Sequence, residues 1–213
     1  MSWAYCLRAP KNPAFERNAR RFADELSEAL TGTISHVHLQ YQPIPWKDQP
    51  GALLEFAPSN NDPDLRYVRL ENGTWINVVQ RLTPNADNPK VVSTAKYSYS
   101  YSLGPDPDKD WLVRYDYEPE KEQDDEYPYP ISHVHVNART AIYDEFITKI
   151  KDKYTPLSHI HLPTKRISLE DFIDHLRVEF KVPLLHGKTD RDADEVLDKG
   201  RKRFEANRSD RRS

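Results

Sequence analysis

With one cysteine, Cys6, in 213 residues, the chain has no internal disulfide framework and no thiolate zinc cluster of its own. It also lacks the ~18 consecutive apolar residues that a membrane helix needs, and any charged-then-apolar leader. The sequence therefore predicts no membrane span, no secretion signal and a cytoplasmic location. Acids outnumber Lys109, Arg114 and Lys121 between Pro105 and Glu126, but they do not follow the oxygen-ligand order of a calcium loop, which removes that reading. At 37% hydrophobic and 31% charged, the chain belongs to the globular class.

What it has instead is histidine in a repeated phrase. Ser35-His36-Val37-His38-Leu39, Ser132-His133-Val134-His135-Val136 and Ser158-His159-Ile160-His161-Leu162 hold six of the eight histidines. Each copy alternates polar and aliphatic residues, the period of a half-buried strand, so both histidines of a copy should share a face. Histidine on an alternating strand is often only the outward polar residue. Three copies point further, because β-propensity does not favour histidine at such positions. His175 and His186 fall outside the pattern, on the polar side of a helix and in a loop, and carry no predicted role.

Around this phrase the chain reads as α+β. Ser2–Leu7 is a first strand, and Asn12-Pro13 caps a helix whose apolar residues Phe15, Ala19, Phe22, Leu26 and Leu30 recur at helical spacing until Gly32. The first histidine strand is predicted over Thr33–Tyr41, ended by prolines 43, 45 and 50. Leu53–Phe56, Leu65–Leu70, Thr74–Arg81, Val91–Leu103 and Trp111–Tyr117 are further strands, with a hairpin at Glu71-Asn72-Gly73. Tyr97, Tyr99 and Tyr101 share one face of the fourth of these. After a loop over Glu118–Pro130 come strand Ile131–Asn137, helix Ala138–Lys151 and strand Leu157–Leu162. Ser168 with Asp171 opens a helix with the apolar face Leu169, Phe172, Ile173, Leu176 and Phe180. The expectation is a single α+β domain over residues 1–187, a multi-stranded antiparallel sheet with helices on one face. Residues 188–213 are predicted to be a polar, basic C-terminal tail or helix, dispensable to the core.

Paired imidazoles on strands suit three chemistries. In the first, one neutral histidine takes the 2′-hydroxyl proton of RNA, another protonates the leaving oxygen, and a nearby cation steadies the charged phosphorus centre. The candidates are His133, His135, His159 and His161 with Arg114, and with Tyr115, Asp116, Lys165 and Arg166 binding substrate; His36 and His38 are secondary. The second is a divalent metal held by imidazoles and by Asp116 or Glu145. The third is a two-histidine phosphoesterase: strand, helix, then His36-x-His38 resembles the LigT-like phosphoesterases, with histidine where that family has a hydroxyl residue. A non-catalytic alternative uses the tyrosine-rich sheet and the acidic loop to hold a partner protein.

A fuller likeness lies in the second half. Lys96-Tyr97-Ser98-Tyr99-Ser100-Tyr101, Leu112-Val113-Arg114-Tyr115-Asp116-Tyr117-Glu118-Pro119 and Pro128-Tyr129-Pro130-Ile131-Ser132-His133-Val134-His135 together resemble the TumE-type family of toxin-antitoxin toxins, over roughly Val91–Phe180. The resemblance implies an intracellular toxin acting on RNA and neutralised by an antitoxin protein, with Arg114, Tyr115, Asp116, His133 and His135 at the matching positions. The chain departs from that pattern in its long N-terminal part, with its own histidine pair, and in Pro-Ile-Ser-His where a denser histidine run is expected.

Overall fold

The computed structural model describes residues 11–58, 66–106, 110–119, 130–137 and 162–209. Eight strands form one antiparallel sheet and, among the described residues, three helices cover one of its faces. The strands are β1 (Leu39–Pro43), β2 (Ala52–Phe56), β3 (Val68–Arg69), β4 (Trp75–Pro84), β5 (Val92–Ser102), β6 (Trp111–Tyr117), β7 (Ser132–Val136) and β8 (Leu162–Pro163); the helices are α1 (Pro13–Thr31), α2 (Leu169–Val178) and α3 (Asp190–Ser209). The strand order is β1-β2-β4-β5-β6-β7-β8, with β3 paired to β4. This is the α+β class the sequence predicts. No described helix is long and apolar enough to cross a membrane.

Local signals place the helices. Asn12 Oδ1 accepts from Phe15 N at 3.0 Å and Pro13 follows in the first turn, so α1 starts where its cap dictates. Ser168 and Asp171 form a reciprocal capping box for α2. Leu169, Phe172, Ile173 and Leu176 are buried beneath it, each stabilising the fold by about 1.5–3 kcal/mol. The turn between β3 and β4 uses its glycine as expected: Gly73 has φ +86°, while Asn72 Oδ1 accepts from Thr74 N at 3.1 Å.

The sheet has two unlike faces. Tyr97, Tyr99 and Tyr101 point to the helices and are 2–3% exposed; Tyr99 meets Phe172 and Tyr101 meets Phe180. Tyr99 donates to Gln80 Oε1 at 2.7 Å, and Gln80 Nε2 donates to Thr94 Oγ1 at 2.8 Å, so the polar atoms buried by this ladder are paired. The tyrosines are core. They are not available as the partner-binding surface that the non-catalytic alternative requires.

Three expectations are corrected. The first histidine strand does not cover Thr33–Tyr41, because the chain is still closing α1: the amides of Thr33, Ile34 and Ser35 all donate to the Leu30 carbonyl, and Ser35 Oγ then accepts from Val37 N. Pairing begins only at Leu39. The expected Leu65–Leu70 strand is reduced to Val68–Arg69. The C-terminal segment takes the helix of the two forms expected, and what changes is its dispensability: Ala193 and Leu197 are fully buried and Arg201 is bound to Asp171 and Asp174 of α2 at 2.9 and 2.6 Å. The expected strand Ser2–Leu7, helix Ala138–Lys151 and most of strand Leu157–Leu162 lie outside the described residues.

Gly200 lets α3 come close to α2, since a Cβ there would sit 2.0 Å from Glu170 Oε1. Glu170 is buried, and burial raises its pKa above 4.5 despite the opposing Ser168 hydroxyl and Arg203. A carboxyl whose pKa rises on folding favours the folded state fully below about pH 4.5, and that contribution is lost as pH climbs through the raised value. Glu170→Gln removes the charge. Its urea midpoint is expected to exceed that of the wild type at pH 7, with the gap closing by pH 4; equal gaps at both pH values would show that Glu170 does not titrate on this path.

Candidate functional site

Antiparallel pairing of β6 with β7 sets Arg114 directly opposite His135 and Asp116 directly opposite His133. On the other side Asp116 stands opposite Ser98 of β5, and Arg114 opposite Ser100. Because side chains alternate, Tyr115 and Val134 between these residues turn toward the helices. Arg114, Asp116, His133 and His135 therefore share the opposite face, flanked by small serines.

Asp116 is the centre of the cluster. Its Oδ2 accepts from Arg114 Nε at 2.9 Å and lies 3.3 Å from His135 Nε2 and 3.9 Å from His133 Nε2. At 6% exposure, burial by itself would raise the carboxyl's pKa. Hydrogen bonds from His135, Ser98 and Arg114, with the guanidinium charge, outweigh it and hold Asp116 ionised, well below the usual carboxylate range.

The histidines are set differently. His133 Nδ1 lies 2.6 Å from the Pro130 carbonyl, a contact that requires Nδ1–H to donate; in the neutral ring the lone pair is then on Nε2, the nitrogen on the side of Asp116. Burial pushes the His133 pKa down, against the raising pull of the Pro130 carbonyl and Asp116, so the ring is neutral at neutral pH. The two imidazoles stand 4.9 Å apart at 75°, and Trp111 meets His135 edge-on while lying beneath the Arg114 guanidinium. Arg114 is the group of the cluster that reaches solvent, its side chain 37% exposed.

One carboxylate oxygen and two imidazole nitrogens, all within 4.8 Å of one another, make Asp116, His133 and His135 a set that could hold a metal ion. The chemistry open to such a cluster is proton transfer by imidazole, charge stabilisation by Arg114, or activation of a bound water by a cation.

Of the residues that the sequence singles out, Arg114, Asp116, His133 and His135 come together. His159, His161 and Glu145 lie outside the described residues; Leu162, the first described residue after His161, pairs with Val134 on the outer side of β7. His36 and His38 do not join the cluster: both are exposed in the turn after α1, His36 lying 3.7 Å from Glu71. Tyr115, expected at the substrate, belongs to the opposite face, packed edge-on to Phe172 and His175. Arg166 is likewise on the helix side, its guanidinium over the rings of Tyr117 and Phe204. Lys165 is exposed in the segment leading to α2. His175, expected on the polar side of its helix, is half-buried between Tyr115 and Phe180.

Three contributors escaped the sequence reading. Ser98 was visible as the outward residue of the alternating tyrosine strand. Trp111 reaches His135 because the register shifts between Tyr101 and Ser102, and a bulge of this kind leaves no mark in the period. The Pro130 carbonyl is a backbone atom, which no residue type announces. No family model, curated protein or solved structure matches this chain.

Proposed function

We propose that the chain is a ribonuclease-like toxin of a toxin-antitoxin pair, which cleaves RNA phosphodiesters at the Arg114–Asp116–His133–His135 cluster. The observation that carries this reading is a pair of buried imidazoles gathered on the Asp116 carboxylate, next to a guanidinium at the solvent rim. Phosphoryl transfer needs those two things: an electron pair that takes a proton or holds a cation, and a fixed positive charge where the phosphorane becomes anionic. Arg114 is oriented by its bond to Asp116 and by the Trp111 ring, so its outer nitrogens are the groups available to a non-bridging phosphate oxygen. RNA as substrate and a neutralising antitoxin as partner rest on the resemblance of the β5, β6 and β7 sequences to the TumE-type toxins.

The test is cleavage of labelled RNA by the purified chain. Arg114→Ala is expected to lower the rate by roughly 10²–10³, the usual cost of losing one stabilising donor in a site of this kind. His133→Ala is expected to lower it at least as far. A folded wild-type protein that leaves RNA intact in buffers with and without divalent cations would sink the nuclease reading.

A further inference from the structure

We infer that Asp116, His133 and His135 form a binding site for one divalent cation of the zinc class. The inference rests on the same cluster as the nuclease reading, and goes beyond it by saying what the imidazole lone pairs hold.

The first argument is distance. Ligands bound tetrahedrally to zinc at ~2.0–2.1 Å lie roughly 3.3 Å from one another. Asp116 Oδ2 is 3.3 Å from His135 Nε2 and 3.9 Å from His133 Nε2, and the three ligand atoms all lie within 4.8 Å of one another, so side-chain rotations of no more than about an ångström or two bring them into a ligand triangle. The second is orientation. A metal-binding histidine donates its other ring nitrogen to a carbonyl or carboxylate, and His133 does so to the Pro130 carbonyl at 2.6 Å. The third is rigidity. Pairing of β6 with β7 sets Asp116 directly opposite His133, with His135 two residues along on the same face, and each is under 10% exposed, so ordering the site costs little further entropy.

Arg114 is the opposing feature, since it bonds the same carboxylate oxygen. A carboxylate oxygen has lone pairs for both, and the guanidinium extends to the rim, where its charge is solvated. Binding also requires the His135 Nε2 that bonds to Asp116 to give up its proton and present its lone pair to the ion. Two neutral imidazoles and one carboxylate are a borderline donor set, suited to Zn²⁺ and, as a spectroscopic substitute, Co²⁺. Three protein ligands, counted among the described residues, leave a coordination position for water or for a phosphate oxygen.

Full-length protein, stripped with chelator and dialysed, is titrated with Zn²⁺ by calorimetry and with Co²⁺ by visible absorption. The expected result is one ion per chain and d–d bands of low-coordinate Co²⁺, with Zn²⁺ raising the thermal midpoint. His135→Gln and Asp116→Asn are expected to weaken binding by roughly tenfold or more and to abolish the bands, and His36→Ala/His38→Ala to leave both unchanged. Circular dichroism of each variant separates loss of a ligand from loss of fold. No stoichiometric binding by the folded wild type overturns the inference, as does binding lost in His36→Ala/His38→Ala and kept in His135→Gln. The two readings fail separately. One ion bound with no RNA cleaved keeps the site and removes the nuclease; RNA cleaved by a chain that binds no cation does the reverse.

Discussion

Asp116→Ala is expected to lower the unfolding free energy at pH 7 by about 3 kcal/mol, near the low end of the cost of breaking a buried pair from one side. The loss has three parts. Arg114 keeps its charge without its partner, the His135 Nε2–H loses its acceptor, and Ser98 loses the carboxylate it supports. The 37% exposure of the Arg114 side chain lets water recover some of this, which is why the low end applies. Asp116→Asn keeps an acceptor oxygen and loses only the charge, so it should cost less. Folding depresses the Asp116 pKa, so the stabilisation is complete above the unfolded value of about 3.8 and is lost as pH falls toward the folded value. Urea titrations at pH 7 and pH 3 should therefore show the wild type falling toward Asp116→Asn in acid. An alanine variant as stable as the wild type at pH 7 would mean that the network contributes nothing to the fold.

Ending the chain at Lys188 is expected to abolish cooperative unfolding, although the basic end of the sequence reads as a tail or helix dispensable to the core. Helix α3 places Ala193 and Leu197, both fully buried, over α1 and α2. Leu197→Ala by itself should cost about 3 kcal/mol, the usual size for a buried leucine that leaves a cavity. Full truncation also exposes the faces of α1 and α2 beneath the helix. It strips Arg177 of Asp190 and Asp194, Asp171 and Asp174 of Arg201, and Glu25 of Arg203. Each of these ion pairs keeps at least one partner partly open to water and contributes about 1 kcal/mol or less, so the apolar contact decides the outcome. Thermal melts followed by circular dichroism give the answer: a sharp transition at the wild-type temperature in the truncated chain would restore the tail reading.

For caps and turns, the sequence was sufficient. The Asn12-Pro13 start, the Ser168/Asp171 box and the Gly73 turn act within four residues of themselves, and each does in the structure what its chemistry requires. Period-two alternation is equally local. It put His133 with His135 on a common face before any pairing was known, and half of the candidate site was legible in that sense.

Only the tertiary structure decided which faces meet, because parity within a strand says nothing about its neighbour or about which face the helices cover. Pairing of β6 with β7 joined two sequence pairs into one cluster, and the helices on the other face took Tyr115 and Arg166 out of it. His36 and His38 repeat the phrase of His133 and His135 residue for residue. They stand exposed because the chain is still satisfying the end of α1 when it reaches them, and so the same four letters, Ser-His-Val-His, make a turn in one place and a buried strand in the other. For α3, hydrophilic composition set only how little apolar surface the helix has. Docking against α1 and α2 set where that surface goes, and Ala193 and Leu197 suffice to bury it.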